Sequence, residues 1–403
     1  MKIAIIGGGA SGLVCAIAAA RKSRELNKKV TVTVYEARER VGKKILATGN
    51  GRCNMLNVDK TPFYFSVNNF HKYAVERFNA SDNLIFFANM GLYTRIDEEG
   101  RVYPLSNQAS TVLDFLRREC ALQGVEIVAD CEIIKIEKKE AVFLLNDKFN
   151  FDRVVLACGG KAGVKNYNGY ELLSMLNHPV TSVTPALTKI NTADNSDVKQ
   201  LQGIRHKVKL SLFSDNNLIA EEKGELLFAK YGISGIAVMQ LSSFIARISN
   251  QKNIVISADF VTDFSVSHLV DAMKKTINHN KDLCSGDILS GFMPKKLSEA
   301  VVRRTGTNPS AKAIQLDEKL VKKIAVCAKN YKFIFDSLRS FEDAQVTAGG
   351  ADTIFFNDKT MESKIIKGLY AVGELLNVDG LCGGYNLMWA WSSGRLCGEN
   401  VIK

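Results

Sequence analysis

Gly7, Gly9 and Gly12 fall in the order G-x-G-x-x-G within IAIIGGGASGL, and an acid, Glu36, closes the next β-branched run. Glycine at Gly7 permits a tight turn, at Gly9 it lets backbone approach a phosphate, and at Gly12 it lets a helix pack closely on a strand. The amides of Ala10 and Ser11, free at a helix N-terminus, offer partial positive charge to that phosphate. A carboxylate at Glu36 can accept hydrogen bonds from both hydroxyls of a ribose. The chemistry predicted is the holding of a dinucleotide. Other chemistries lack their partners. Cys53 has no second cysteine a few residues away, as dithiol exchange requires. The five histidines stand alone, without the neighbours of a nucleophilic triad. No Cys/His spacing suits a metal, so none is expected.

The elements that position these residues read as one β-α-β unit over residues 2–36. Lys2–Ile6 is an apolar strand of the kind buried in a parallel sheet, an Ala-rich helix runs from Ser11 to about Glu25, and Val30–Glu36 is the second strand. The loop Ala37–Asn57 holds three glycines and is long enough to be functional in its own right. A hairpin is expected near Leu92–Pro104, a helix over Ser110–Gln123, and a buried strand at Val154–Ala157. From Thr184 to about Asp259, short alternating runs predict antiparallel strands. From Ser265 to about Ser340, helical periodicity predicts a small helical domain. Strand Leu369–Val372, a glycine loop and a long helix end the chain. The fold class expected is α/β: a doubly wound Rossmann-type domain (1–184 plus 341–403) interrupted by an antiparallel β-barrel-like insertion (185–264) and a helical insertion (265–340).

Bulk properties narrow the classes. The chain has 403 residues, a net charge of +11 and nine cysteines. The cysteines are singletons, which suits free thiols in a reducing, cytoplasmic setting. No apolar run is long enough for a bilayer, so no membrane partner is expected. Lys and Arg are scattered among acids and lack interleaved aromatics, so no specific nucleic-acid partner is expected either.

Three features favour FAD over NAD. The loop GKKILATGNGRCN follows soon after the ribose-binding acid and can run beside an extended cofactor. The strand YAVGE ends in Gly373 and Glu374, suited to ribityl hydroxyls. The block Gly383-Gly384-Tyr385-Asn386-Leu387 opens the last helix, whose N-terminus suits the pyrimidine edge of a flavin that becomes anionic on reduction. With GKKILATGNGRCNMLN (42–57), GELLFAKYGISGIAVMQLS (224–242), QVTAGGA (345–351) and LYAVGELLNVDGLCGGYNLMWAWSSGRLCG (369–398), the chain resembles the aminoacetone-oxidase-like (BaiN-like) family of flavoproteins from end to end. The resemblance implies non-covalent FAD contacts at Gly7, Gly9, Ala10, Ser11, Gly12, Glu36 and Ala37. It extends them to Lys44, Gly51, Arg52, Cys53 and Asn54, to Ile133, Ala157 and Gly159, and to Gly373, Glu374, Asp379, Gly384, Tyr385, Asn386 and Leu387.

Residues for substrate chemistry are less defined. Arg52 suits a phosphate or a substrate carboxylate, or simply holds its loop. Tyr385 has the best place of any aromatic to meet substrate. Glu225 and Tyr231, in the GELLFAKYGISG block, are candidates to border the site from the β-domain. Of Trp389 and Trp391, one is expected in the core. The activity expected is hydride transfer between a small molecule and flavin N5. With one dinucleotide fingerprint only, two variants stay open. In one, an amine, amino ketone or hydroxy compound is oxidised and oxygen reoxidises the flavin. In the other, NAD(P)H is a transient donor and an unsaturated compound is reduced. The alternative class is a flavin-bearing RNA-binding or tRNA-modifying protein.

Overall fold

The computed structural model describes residues 1–58, 63–164, 167–193 and 196–403. The first strand, β1 (Lys2–Ile6), is followed by helix α1 (Ala10–Glu25) and strand β2 (Thr31–Tyr35). Ile3, Ala4 and Ile5 are fully buried, as a strand covered on both faces must be. Five parallel strands form the sheet in the order Leu369–Ala371, Arg153–Leu156, β1, β2, Glu126–Val128. The register is continuous: Ile5 lies between Val155 and Val34. The edge strand Leu369–Ala371 comes from the far end of the chain and pairs with Arg153–Leu156.

The final helix, Tyr385–Asn400, packs along α1. Two glycines let the backbones meet. A Cβ at Gly394 would lie 2.5 Å from Ser11 O, and one at Gly398 would lie 2.5 Å from Cys15 O. The hairpin Thr94–Ile96/Arg101–Pro104 and the helix Ala109–Leu122 complete this part where the sequence places them. Its core includes Leu13, Ile17, Val34, Phe87, Leu116, Trp389 and Trp391. Each such side chain contributes about 1.5–3 kcal/mol by leaving water.

The chain divides into two compact units, 1–184 with 345–403 and 185–344. The second unit holds a closed antiparallel barrel of six strands, in the order Ile190–Thr192, Gly232–Ser234, Asn217–Ala229, Arg205–Ser214, Ile254–Asp259, Tyr331–Leu338. Two expectations need correction here. Ile236–Ile245, inside the segment read as strands, is a helix. Tyr331–Leu338, inside the segment read as helical, is the strand that closes the barrel by pairing with Ile190–Thr192 and Ile254–Asp259. Tyr331, Phe333 and Phe335 face inward while Lys332 and Ile334 face out. The strands and helices of 185–344 share one hydrophobic core, in which Leu269, Ile324 and Ala325 of the helices join Leu210, Phe228 and Ile256 of the barrel. Among the described residues, no helix is long and apolar enough to cross a membrane. No group of three or more His, Cys, Asp or Glu among them could hold a metal ion.

Candidate functional site

The glycine turn is fixed by its neighbours on every side but one. Gly7 has φ +109, a left-handed value, and donates to Tyr35 O at 2.8 Å. A Cβ at Gly12 would lie 2.0 Å from Gly7 O, so no other residue fits there. At Gly9, the N-cap of α1, a Cβ would meet nothing within 4 Å. Gly9 makes no side-chain cap, and α1 opens beside that free space with no acceptor for the Ala10, Ser11 and Gly12 amides among the described residues. Glu36 stands next to the turn, accepting from Gly8 N at 3.0 Å and from Arg38 N at 3.1 Å. Cys131 N donates to Glu36 O, which brings the segment carrying Ile133 alongside. Ile133 is buried, and its carbonyl accepts from Asn168 Nδ2 at 3.1 Å. Ala157 is bound to Ile6 O through its amide, and Ala37 is exposed just past β2.

The loop after β2 is partly helical, Lys43–Ala47, and then takes a run of left-handed backbone. Gly49, Asn50, Gly51 and Cys53 all have positive φ, at 57°, 55°, 81° and 58°. For Asn50 and Cys53 this carries strain, which persists only where surroundings enforce it. Here Arg52 N bonds Gly49 O and Cys53 N bonds Thr48 O. A Cβ at Gly51 would again meet nothing within 4 Å. Burial pushes the Cys53 thiol up to about 11, so it stays protonated near neutrality.

Elements from the far end of the chain meet these two loops. A Cβ at Gly373 would lie 2.5 Å from Ser11 Oγ, so the strand end abuts the start of α1. Glu374 Oε2 pairs with Lys44 Nζ at 2.9 Å, and Glu374 Oε1 accepts from Thr347 N at 2.9 Å. Gly159 faces the same carboxylate, and Tyr167 Oη donates to Gly159 O at 2.6 Å. Gly384, with φ +103, caps the final helix; a Cβ there would lie 2.6 Å from Leu56 C and 2.7 Å from Asn54 Oδ1. Asn54 Oδ1 is buried with no hydrogen-bond partner among the described residues. Asn386 is committed to the protein, accepting from Gly380 N and donating to Gly380 O, both at 2.8 Å. Asp379 is fully buried on the neighbouring strand, and Leu387 is half-buried in the helix's first turn. Tyr385 is nearly buried, and Tyr64 Oη donates to its carbonyl at 2.9 Å. Burial pushes the Tyr64 phenol well up.

The structure therefore gathers the glycine turn, Glu36, Lys44, Gly51–Asn54, Gly159, Gly373–Glu374 and Gly384–Leu387 in one compact unit. Tyr231 lies in the other unit, on the turn before Gly232–Ser234, with Arg339 and Lys189 at 4.9 and 5.9 Å from its ring centroid. Glu225 pairs with Arg205 at 2.7 Å. Both tryptophans are buried, where one was expected, and both are ties: Trp389 Nε1 donates to Gly373 O at 3.0 Å and Trp391 Nε1 to Met55 O at 2.8 Å. Thr347 and Tyr167 are supports that sequence reasoning missed, as is the tying role of the two tryptophans. Each bonds residues remote along the chain or without a motif of its own, so no local spacing could have marked them.

Residues 1–400 match the family described as HI0933-like protein Rossmann domain. The chain belongs to this family. Within reach of this HI0933-like chain is the 3-dehydro-bile acid delta(4,6)-reductase of Clostridium scindens, 36% identical, with 100% of this chain and 99% of that protein aligned. The ribosomal RNA dihydrouridine synthase of Haemophilus influenzae is 28% identical, with 99% of this chain and 98% of that protein aligned. Among solved structures, the 3-ketosteroid delta1-dehydrogenase from Sterolibacterium denitrificans is similar at a TM-score of 0.47 and 10% identity, covering 99% of each chain.

Proposed function

We propose that this HI0933-like protein is a cytoplasmic FAD-dependent oxidoreductase that reduces a carbon–carbon double bond conjugated to a carbonyl, with NAD(P)H as transient donor. The observation that carries the cofactor part of the reading is that Gly9 opens α1 with room beside it, while Asn54 Oδ1 lies buried without a partner among the described residues beside Gly384, the cap of the final helix. The names of the two curated relatives add the chemistry, since a 3-oxo-4,6-diene and a uracil ring are both double bonds activated by a carbonyl.

The residues fit FAD. The amides of Ala10 and Ser11 would hold the pyrophosphate at the N-terminus of α1, where Gly9 leaves room. Glu36 would accept the adenosine ribose hydroxyls, and Glu374, fixed by Lys44, the ribityl hydroxyls. Asn54 Oδ1 is a buried acceptor without a donor among the described residues, and the imide N–H of a flavin pyrimidine edge is a donor of the required kind. The amides opening the final helix at Tyr385, Asn386 and Leu387 favour negative charge on that edge. Bound FAD would supply hydride acceptance and donation at N5. The chain's own part is to orient the cofactor, exclude water with its buried wall, and present Tyr385 to the substrate side. No disulfide joins the nine cysteines among the described residues, in keeping with a reducing compartment.

Anaerobic mixing of the purified yellow protein with NADPH or NADH tests the reading. The flavin band should bleach, and a 3-oxo-4,6-diene steroid acid should restore it without oxygen. Bleaching by an amine or amino ketone in place of NAD(P)H would return the oxidase variant, and a colourless protein that takes up no FAD would end both. A second substrate, uridine within ribosomal RNA, is favoured by the full-length likeness to the dihydrouridine synthase. Mass mapping of dihydrouridine in ribosomal RNA from a deletion strain decides it.

A further inference from the structure

Two arginines of the first unit converge on one tyrosine ring. The Arg52 guanidinium lies 5.0 Å from the Tyr103 ring centroid, and that of Arg95 lies 5.2 Å from it. Arg95 stands directly opposite Tyr103 across the hairpin, so this cation–π contact is built into the strand register. Arg52 arrives from the strained loop, steadied by donation from Nε to Gly49 O at 3.2 Å. Neither guanidinium has a carboxylate at ion-pair distance among the described residues, and the side-chain hydrogen-bond partner of Arg95 there is Asn107 Oδ1 at 2.7 Å. Of the three acids on the hairpin turn, Asp97 and Glu99 pair with Arg101, at 2.8 and 2.9 Å, and no ion pair joins Glu98 to Arg95 among the described residues. The hairpin thus pairs one arginine twice and leaves its neighbour without a carboxylate. Tyr93 and Leu105, linked by Leu105 N to Tyr93 O at 3.0 Å, add an apolar rim, with 67% and 61% of their surfaces exposed.

We propose that Arg52 and Arg95, aligned on Tyr103, bind an oxyanion group, carboxylate or phosphate, that the substrate carries away from its reducible bond. The proposal rests on the substrate-reduction reading above and deepens it. An oxyanion beside the two guanidiniums would accept charge-assisted bonds from nitrogens that have no protein partner among the described residues. The loop that fixes Arg52 also carries Gly51 and Asn54, so the anion would be held beside the cradle.

The test is calorimetric titration of the flavin-loaded full chain with three probes: a uridine octanucleotide, a 3-oxo-4,6-diene bile acid, and the methyl ester of that acid. Arg95→Met should weaken the anion that the wild type binds by about tenfold, and Arg95→Lys should recover part of it. Ester binding, FAD content and thermal midpoint should not move. Loss confined to the oligonucleotide, with a shallower salt dependence, identifies a phosphate; loss confined to the bile acid identifies a carboxylate. The proposal is overturned if the wild type binds neither anion, if Arg95→Met binds both as tightly, or if Arg95→Met loses FAD. A protein that NAD(P)H cannot reduce, yet loses anion binding in Arg95→Met, would sink the reductase reading and leave this site standing.

Discussion

Gly9 and Gly12 are three residues apart and fail in opposite ways when substituted. Gly9 has φ −83 and ψ −166, an extended conformation open to β-branched residues, and its missing side chain faces free space. Gly9→Val should therefore fold with a nearly unchanged melting point and carry no FAD, read by absorbance after gel filtration. Gly12→Val would drive a carbon into Gly7 O and should cost about 3 kcal/mol or more, the upper end of overpacking. If Gly9→Val keeps its flavin, the open space is not the cofactor's. Gly384→Val is a poor probe by comparison: its side chain would strike Leu56 and Asn54 before reaching any ligand. A second residue carries a pH signature. His71 sits against the Tyr64 ring with Ser66 Oγ 2.6 Å from its Nδ1. Burial, with the Lys72 charge second, lowers its pKa to about 4 from the usual 6.5. Between those values the unfolded chain takes up a proton that the folded one refuses, so stability falls as pH drops through that window. Urea unfolding at pH 7 and pH 5 should show a larger loss for the wild type than for His71→Gln. An equal loss in both would show that His71 does not set the slope.

At the scale of elements, the final helix is the joint of the first unit. Trp391 bonds the 42–57 loop through Met55 O, Trp389 bonds Gly373 O, and Ser393 Oγ accepts from Gly373 N. Trp391→Phe would leave Met55 O buried without its donor, at a cost of about 1–3 kcal/mol, and should weaken FAD retention; an unchanged urea midpoint would show that the bond is dispensable. The glycine turn was legible because each of its constraints lies within a few residues: Gly7 must turn and Gly12 must clear a strand. The barrel was legible only in part. IAVMQLSSFI is apolar nearly throughout, so neither a period of two nor one of 3.6 stands out, and it folds as a helix. YKFIFDSL alternates as a strand should, but it follows a lysine-rich helix and its partners lie far away at 190–192 and 254–259. Strand pairing over such distances leaves no local mark.

Across the whole molecule the two units have separate cores. Every residue proposed here to touch FAD belongs to the first unit. Calorimetry should then resolve two transitions, and FAD in excess should raise one of them. At a hundred times its dissociation constant the ligand adds about 2.7 kcal/mol to the unit that binds it. A single transition that moves as one would mean the units unfold together. The interrupted layout also sets a timetable. The strand at 369–371 and the helix at 385–400 complete a sheet and a helix pair begun in the first twenty-five residues. The ribosome makes the whole of 185–344 in between. At ordinary rates of synthesis α1 waits roughly twenty to seventy-five seconds for its partner, with the face shaped for Gly394 and Gly398 uncovered. Cofactor that needs both ends of the chain would therefore load only once translation has delivered the last helix, and until then the small-residue face of α1 stays bare.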